Sequence, residues 1–215
     1  SDVCSSDLSR LARFGQSVAI RDGIIAVGAP LDDGRAQNGG AVHLFSTDGT
    51  LLRTVMAEDL RAYDAFGFSV ALDAGRLVVG APGDNRPTRN SGRAYVFDAA
   101  HGDLLETLAN PQPSGQDRFG WAVSAADGHI LATAPGDDTG ARDAGRAYLF
   151  DGGGGEVIAT LDNPGPARAD AFGNAAATGG GVLAVGCARK DAGALDAGRV
   201  VLFQGSGTAP VVTYE

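Results

Sequence analysis

Residues 66–82 read FGFSVALDAGRLVVGAP, and the same frame recurs along the chain. Phe-Gly stands at Phe14-Gly15, Phe66-Gly67, Phe119-Gly120 and Phe172-Gly173, at intervals of 52, 53 and 53 residues. Fourteen residues after each Phe lies a small-residue triplet: Gly28-Ala29-Pro30, Gly80-Ala81-Pro82, Thr133-Ala134-Pro135 and Gly186-Cys187-Ala188. Twenty-six residues after each Phe stands Gly40, Gly92, Gly145 or Gly198, and thirty-one after it stands Phe45, Phe97, Phe150 or Phe203. Four copies held in one register mark a repeat protein.

The first copy contains four strand-like runs, Phe14–Ile20, Ile24–Val27, Ala41–Phe45 and Leu51–Met56. The first run alternates, with Phe14, Gln16, Val18 and Ile20 on one side and Gly15, Ser17 and Ala19 on the other, the period of a strand. Its small-residue side lets another layer come close. Asp22-Gly23 and Asp48-Gly49 are hairpin turns, whereas runs two and three are separated by a longer loop, Pro30 to Gly39. Four antiparallel strands repeated at about fifty residues predict a β-propeller blade. A blade cannot bury both faces alone, so the blades must stack. The expected fold is all-β: a propeller of four-stranded antiparallel blades, four of them present, over approximately 14–60, 66–113, 119–166 and 172–215.

Composition agrees with this reading. Of 215 residues, 33 are Gly, and only four of the 26 acidic residues are Glu (Glu58, Glu106, Glu156, Glu215). Asp and Gly favour turns, whereas Glu favours helix interiors. The net charge of −9 speaks against a nucleic-acid partner, which asks for a basic face. No run of 18 apolar residues is present, so membrane insertion is not expected. Cys4 and Cys187 are the only cysteines, too few for a disulfide framework. Residues 1–8, Ser-Asp-Val-Cys-Ser-Ser-Asp-Leu, read as the translation of a sequencing adapter. They are treated as a non-native leader ahead of the propeller at 9–215.

Phe-Gly followed by Gly-Ala-Pro at this spacing resembles the FG-GAP repeat of the integrin alpha-chain propeller and its bacterial relatives. The resemblance runs from Phe14 to about Tyr214. It implies a propeller, usually of seven blades, so four blades would form an open part of a larger ring. It also implies an extracellular or cell-surface interaction and adhesion module. Thr133 departs from the triplet in copy three, and Gly186-Cys187-Ala188 lacks the Pro in copy four. Calcium-binding members carry an Asp-rich loop between Phe-Gly and Gly-Ala-Pro. Here only 12 residues separate the two elements in each copy, and the strands use nearly all of them. Calcium wants six to eight oxygens around a turn, so the family calcium loop is expected to be absent and no cofactor is expected.

The loops after the triplets carry Asp32, Asp33, Asp84, Asn85, Asp137, Asp138 and Asp191. Read functionally, these are the ligand-binding rim at one end of the propeller, where a weak calcium contact is the alternative. Read structurally, each Asp caps its own turn, which is the preferred reading. Asp64, Asp117 and Asp170 each precede Phe-Gly by two residues, and Arg93, Arg146 and Arg199 each follow the recurring Gly. These two series are expected to hold structural bonds and to pair with one another. Phe68 and Trp121 occupy equivalent places and read as packing. His43, His101 and His129 do not recur and lack ligand spacing, and Cys187 reads as a buried thiol. No nucleophile motif is present. The chain therefore reads as a noncatalytic module that binds a protein or glycan ligand through loops at one end. The alternatives are an accessory propeller of a larger secreted hydrolase and an enzyme that uses the acidic loops.

Overall fold

A computed structural model describes residues 11–191 and 194–214. The leader at 1–8 lies outside the described residues. Sixteen strands form four sheets, each a simple antiparallel meander. Blade one is β1 (Ser17–Arg21), β2 (Ile24–Ala29), β3 (Ala41–Ser46) and β4 (Leu51–Val55). Blade two is β5 (Ser69–Asp73), β6 (Arg76–Ala81), β7 (Arg93–Asp98) and β8 (Leu104–Ala109). Blade three is β9 (Val123–Ala126), β10 (His129–Ala134), β11 (Arg146–Asp151) and β12 (Val157–Asp162). Blade four is β13 (Phe172–Gly179), β14 (Val182–Cys187), β15 (Arg199–Gln204) and β16 (Val212–Tyr214). The blades stand side by side, with β1 against β5, β5 against β9 and β9 against β13.

The core lies between the blades. Three clusters of buried side chains fill the three junctions. Alternation along a strand sends neighbours to different junctions: Leu77 and Val79 pack towards blade one, and Val78 between them packs towards blade three. This is why the central strands are almost continuously apolar. Blade one has no neighbour ahead of β1 among the described residues, so Val18 and Ile20 are exposed while Ala19 packs on the core. Blade four exposes Val182, Val200, Val212 and Tyr214 in the same manner.

One element differs from the sequence expectation. In the first three blades Phe-Gly precedes the first strand instead of opening it, and only β13 includes it. The backbone at Gly15, Gly67, Gly120 and Gly173 has φ of +87°, +88°, +83° and +97°, a region favoured by glycine and disruptive to a strand. The turn drives the preceding Phe into the junction. Phe66, Phe119 and Phe172 are fully buried, whereas Phe14 is 38% exposed, with no blade ahead of it among the described residues. Phe66 sits edge-on to Tyr95 and Phe97, with ring centres 5.5 and 5.8 Å away. Burying each such ring contributes about 2–3 kcal/mol.

Backbone contacts lock the blades in register. Gly40, Gly92 and Gly145 each form a parallel bridge to the Phe of the next blade. A Cβ on Gly40 or Gly92 would stand 2.1 Å from that residue's carbonyl oxygen, which accounts for the recurring Gly. Ser17 Oγ donates to the Gly67 carbonyl at 2.8 Å, and Ser69 Oγ to the Gly120 carbonyl at 2.9 Å.

Candidate ligand-binding rim

The loops between the second and third strands of each blade meet the segments that lead into the next Phe-Gly, and together they form one rim. Each acidic pair does two jobs on its own loop. The first member accepts from the backbone two residues on: Gly34 N to Asp32 and Thr139 N to Asp137, both at 2.8 Å, and Arg86 N to Asp84 at 2.8 Å. The second member accepts from five residues on: Asn38 N to Asp33 at 2.7 Å, Asn90 N to Asn85 at 3.0 Å, Asp143 N to Asp138 at 2.8 Å and Asp196 N to Asp191 at 2.9 Å. These are Asx-type clamps, and they hold the loops in shape. Asp32, Asp84 and Asp137 are buried, while Asp33, Asn85, Asp138 and Asp191 are exposed. The structure distributes the seven residues blade by blade along the arc. Among the described residues, no three acidic, His or Cys side chains are grouped to hold a metal ion.

Behind the loops, each junction holds a buried charge cluster. Asp64 Oδ2 accepts from Arg61 N at 2.8 Å and pairs with Arg86 Nη2 at 3.3 Å, and Arg86 also binds Asp84 and Asp59. Burial pushes the Asp64 carboxyl up to about 6, with Asp84 and Asp59 adding to the rise and Arg86 opposing it. At the next junction Asp117 accepts from Asn110 Nδ2 at 2.8 Å and Ser114 N at 2.6 Å, and burial raises its carboxyl too. Asp170 is held by Asn163 Nδ2 at 2.9 Å, Ala167 N at 2.8 Å and Lys190 Nζ at 3.0 Å. Lys190, the chain's single lysine, takes the place in blade four that Asp32, Asp84 and Asp137 hold in the other blades.

The expected pairing of the two recurring series is corrected here. Arg93 reaches Asp59 at 3.3 Å and Asp84 at 3.9 Å, Arg146 reaches Asp162 at 2.7 Å and Asp137 at 4.0 Å, and Arg199 donates to the Pro164 carbonyl at 3.0 Å. Arg93 and Arg199 run from β7 and β15 to the segment after the preceding blade's fourth strand, whereas Arg146 on β11 meets the end of its own blade's fourth strand. The recurring Asp finds other partners: Arg86 reaches Asp64, Lys190 reaches Asp170, and Asn110 and Ser114 hold Asp117.

Other candidates sit in structural places. His43 Nδ1 lies 3.0 Å from Thr54 Oγ1 inside blade one, and His101 pairs with Asp98 in the β7–β8 hairpin, on the side of blade two away from the rim. The Cys187 thiol is buried, donates to the Asp170 carbonyl at 3.2 Å and has its pKa pushed up to about 11 by burial, which suppresses the reactive thiolate.

Phe68 and Trp121 pack as the sequence reading expects, but the cleft beside them escaped it. Phe68 and Trp121 meet across the junction of blades two and three with ring centres 4.5 Å apart and planes tilted by 46°, and the Arg118 guanidinium lies 5.6 Å from the Trp121 ring centre. Blade four offers Ala169, Ala171 and Asn174 where blade three has Gln116, Arg118 and Trp121. With that bulk gone, a cleft of about 250 Å³ opens between blades three and four, lined by Arg118, Trp121, Asp143, Asn174 and Arg189 among others. The signal was present in the register, as the series Phe68, Trp121, Asn174.

Sequential four-stranded meanders, stacked face to face with their long loops on one rim, define a β-propeller class of repeat protein. The chain belongs to the FG-GAP repeat family, whose profile matches residues 2–45, 51–97 and 106–150. No curated protein matches the chain. Among solved structures it is similar to the computationally designed Ika4 protein, at 14% identity and a TM-score of 0.57, with 92% of this chain and 94% of that one covered. It is similar also to a chain of the mitotic checkpoint complex, at 17% identity and a TM-score of 0.61, with 92% of this chain and 48% of that one covered. The present chain thus spans about half the length of the second. At these identities the likeness concerns the fold alone. Propellers of this family are interaction modules in general. Among the described residues no helix is long and apolar enough to cross a membrane.

Proposed function

We propose that this chain is a noncatalytic interaction module of the cell surface or extracellular space, which binds a protein or glycan through the loops of one rim. The carrying observation is the pattern of clamps. Every loop of the rim is fixed by its own Asx bonds, so a ligand would meet a preshaped surface and pay little ordering entropy. The inner acids are tied to backbone and neighbouring cations, an arrangement suited to scaffold. The module works without calcium on this reading, because the strands occupy the stretch that a calcium loop would need.

The test is retention of the purified protein on immobilised glycans and matrix proteins, alongside a broad hydrolase screen. Saturable binding that weakens when Asp33, Asn85 and Asp138 are changed together to Ser supports the reading, since Ser can keep a turn bond while removing the carboxylate and amide groups. Turnover of any substrate that disappears in Asp137→Asn overturns it.

A further inference from the structure

The cleft between blades three and four has a chemistry unlike the rest of the rim. In a chain of net charge −9, it presents two exposed guanidiniums, Arg118 and Arg189, which have no acidic partner within ion-pair distance among the described residues. Asp143 on the same wall lies 3.5 Å from Arg142 and is offset by it. Asn174 is exposed and adds an amide that both donates and accepts. The indole of Trp121 is the aromatic part of the wall, and Phe68 and Arg118 hold it in place.

The geometry points to a binding site for the uronic acid ring of an acidic glycan. This rests on the interaction-module reading and names its ligand class. Each wall group finds a counterpart on such a ring. The carboxylate meets the arginine forks, which favour planar anions through charge-assisted bonds. The hydroxyls meet Asp143 and Asn174. The C–H surface of the ring meets the indole, a rigid amphipathic contact. The volume suits one ring: about 250 Å³ is slightly under the roughly 300–1,000 Å³ of sites for drug-sized ligands. An acidic peptide side chain would engage the arginines but has no hydroxyls for Asp143 and Asn174. At the preceding junction Phe68 packs on Trp121, whereas here the equivalent of the second ring is Asn174.

Trp121 is the only tryptophan in the chain, so its fluorescence reports on the cleft directly. The intact protein is titrated with a hyaluronan tetrasaccharide, with cellotetraose as neutral control and an Asp/Glu tetrapeptide as the protein-like competitor. The expected result is saturable change with the hyaluronan fragment below about 10 mM and at least tenfold weaker binding of cellotetraose. Arg189→Ala, on an exposed side chain, should weaken hyaluronan binding at least tenfold. Asn174→Trp, which extends the aromatic series into the cleft, should abolish it by calorimetry. Absence of saturation, equal binding of cellotetraose, tighter binding of the tetrapeptide, or full binding in Arg189→Ala would each overturn the assignment. Retention on glycan or matrix surfaces that is unchanged in Asn174→Trp sinks the cleft and leaves the module reading standing. Binding in the cleft together with hydrolytic turnover elsewhere on the rim does the reverse.

Discussion

Thr133 and Gly173 are joined across the junction of blades three and four by a 2.7 Å hydrogen bond from the threonine hydroxyl to the glycine carbonyl. Ser17 and Ser69 make this bond in the first two blades, each from the strand that faces the glycine of the triplet. In blade three Ala122 stands where the serine was and Thr133 stands where the glycine was. The hydroxyl has crossed to the other strand and still reaches the same carbonyl. What looked like a departure from the motif is a reciprocal exchange.

Thr133→Gly should therefore destabilise the protein by about 1–2 kcal/mol, because it strands a buried carbonyl. Adding Ala122→Ser should restore most of the loss by rebuilding the arrangement of the first two blades. Urea unfolding of the two single variants and the double variant, read as a cycle, measures the coupling. Additive losses would show that the exchange carries no energy.

Gly92→Ala should cost on the order of 3 kcal/mol. Its φ is +80°, and the new methyl would stand 2.1 Å from the Phe119 carbonyl oxygen. Gly49→Ala shares a positive φ of +86° but has nothing within 4 Å, so it isolates the backbone strain. The difference between the two midpoints in urea gives the steric part.

Asp64 makes stability depend on pH in an unusual sense. Its folded carboxyl is raised from 3.8 to about 6, so between these values the folded state holds a proton that the unfolded chain releases. Its contribution is complete below about pH 4 and is lost as pH climbs through about 6, amounting to at most ~3 kcal/mol. Melting temperature should fall across that window more steeply in the parent than in Asp64→Asn. Asp117, raised in the same direction, adds to the trend.

Calcium should leave the melting temperature where chelator puts it. A site filled at a hundredfold excess over its dissociation constant adds about 2.7 kcal/mol, which would raise the midpoint by about 5 °C or more. A shift of that size in calcium over chelator would show that the rim carboxylates bind the ion.

The repeat frame, the four strands per blade and the one-sided placement of the long loops were legible in the sequence, because Gly92 answers to a close approach of the next blade that recurs at Gly40 and Gly145, and Phe66 and Phe97 to a ring contact that recurs at Phe119–Phe150 and Phe172–Phe203. The partners of Arg93 and Arg146 were not legible. Asp59 and Gln112, which Arg146 also reaches at 2.7 Å, come from the preceding blade, whose approach only stacking decides, and Asp162 faces Arg146 only through the register of the β11–β12 hairpin. The cleft was half legible: Phe68 and Trp121 were visible as a pair, but the space beyond Trp121 comes from the small size of Ala169, Ala171 and Asn174, and missing bulk leaves no motif.

The division of labour between Val78 and its neighbours Leu77 and Val79 has a dynamic consequence. No central blade owns a private interior, so it can open only by breaking both of its boundaries, whereas an outer blade has to break one. Amide protons should accordingly exchange with solvent earliest in β1 and β16 and latest in β6 and β10. Fraying would then advance inward from either end, and the strands nearest the middle would report the free energy of opening the whole arc.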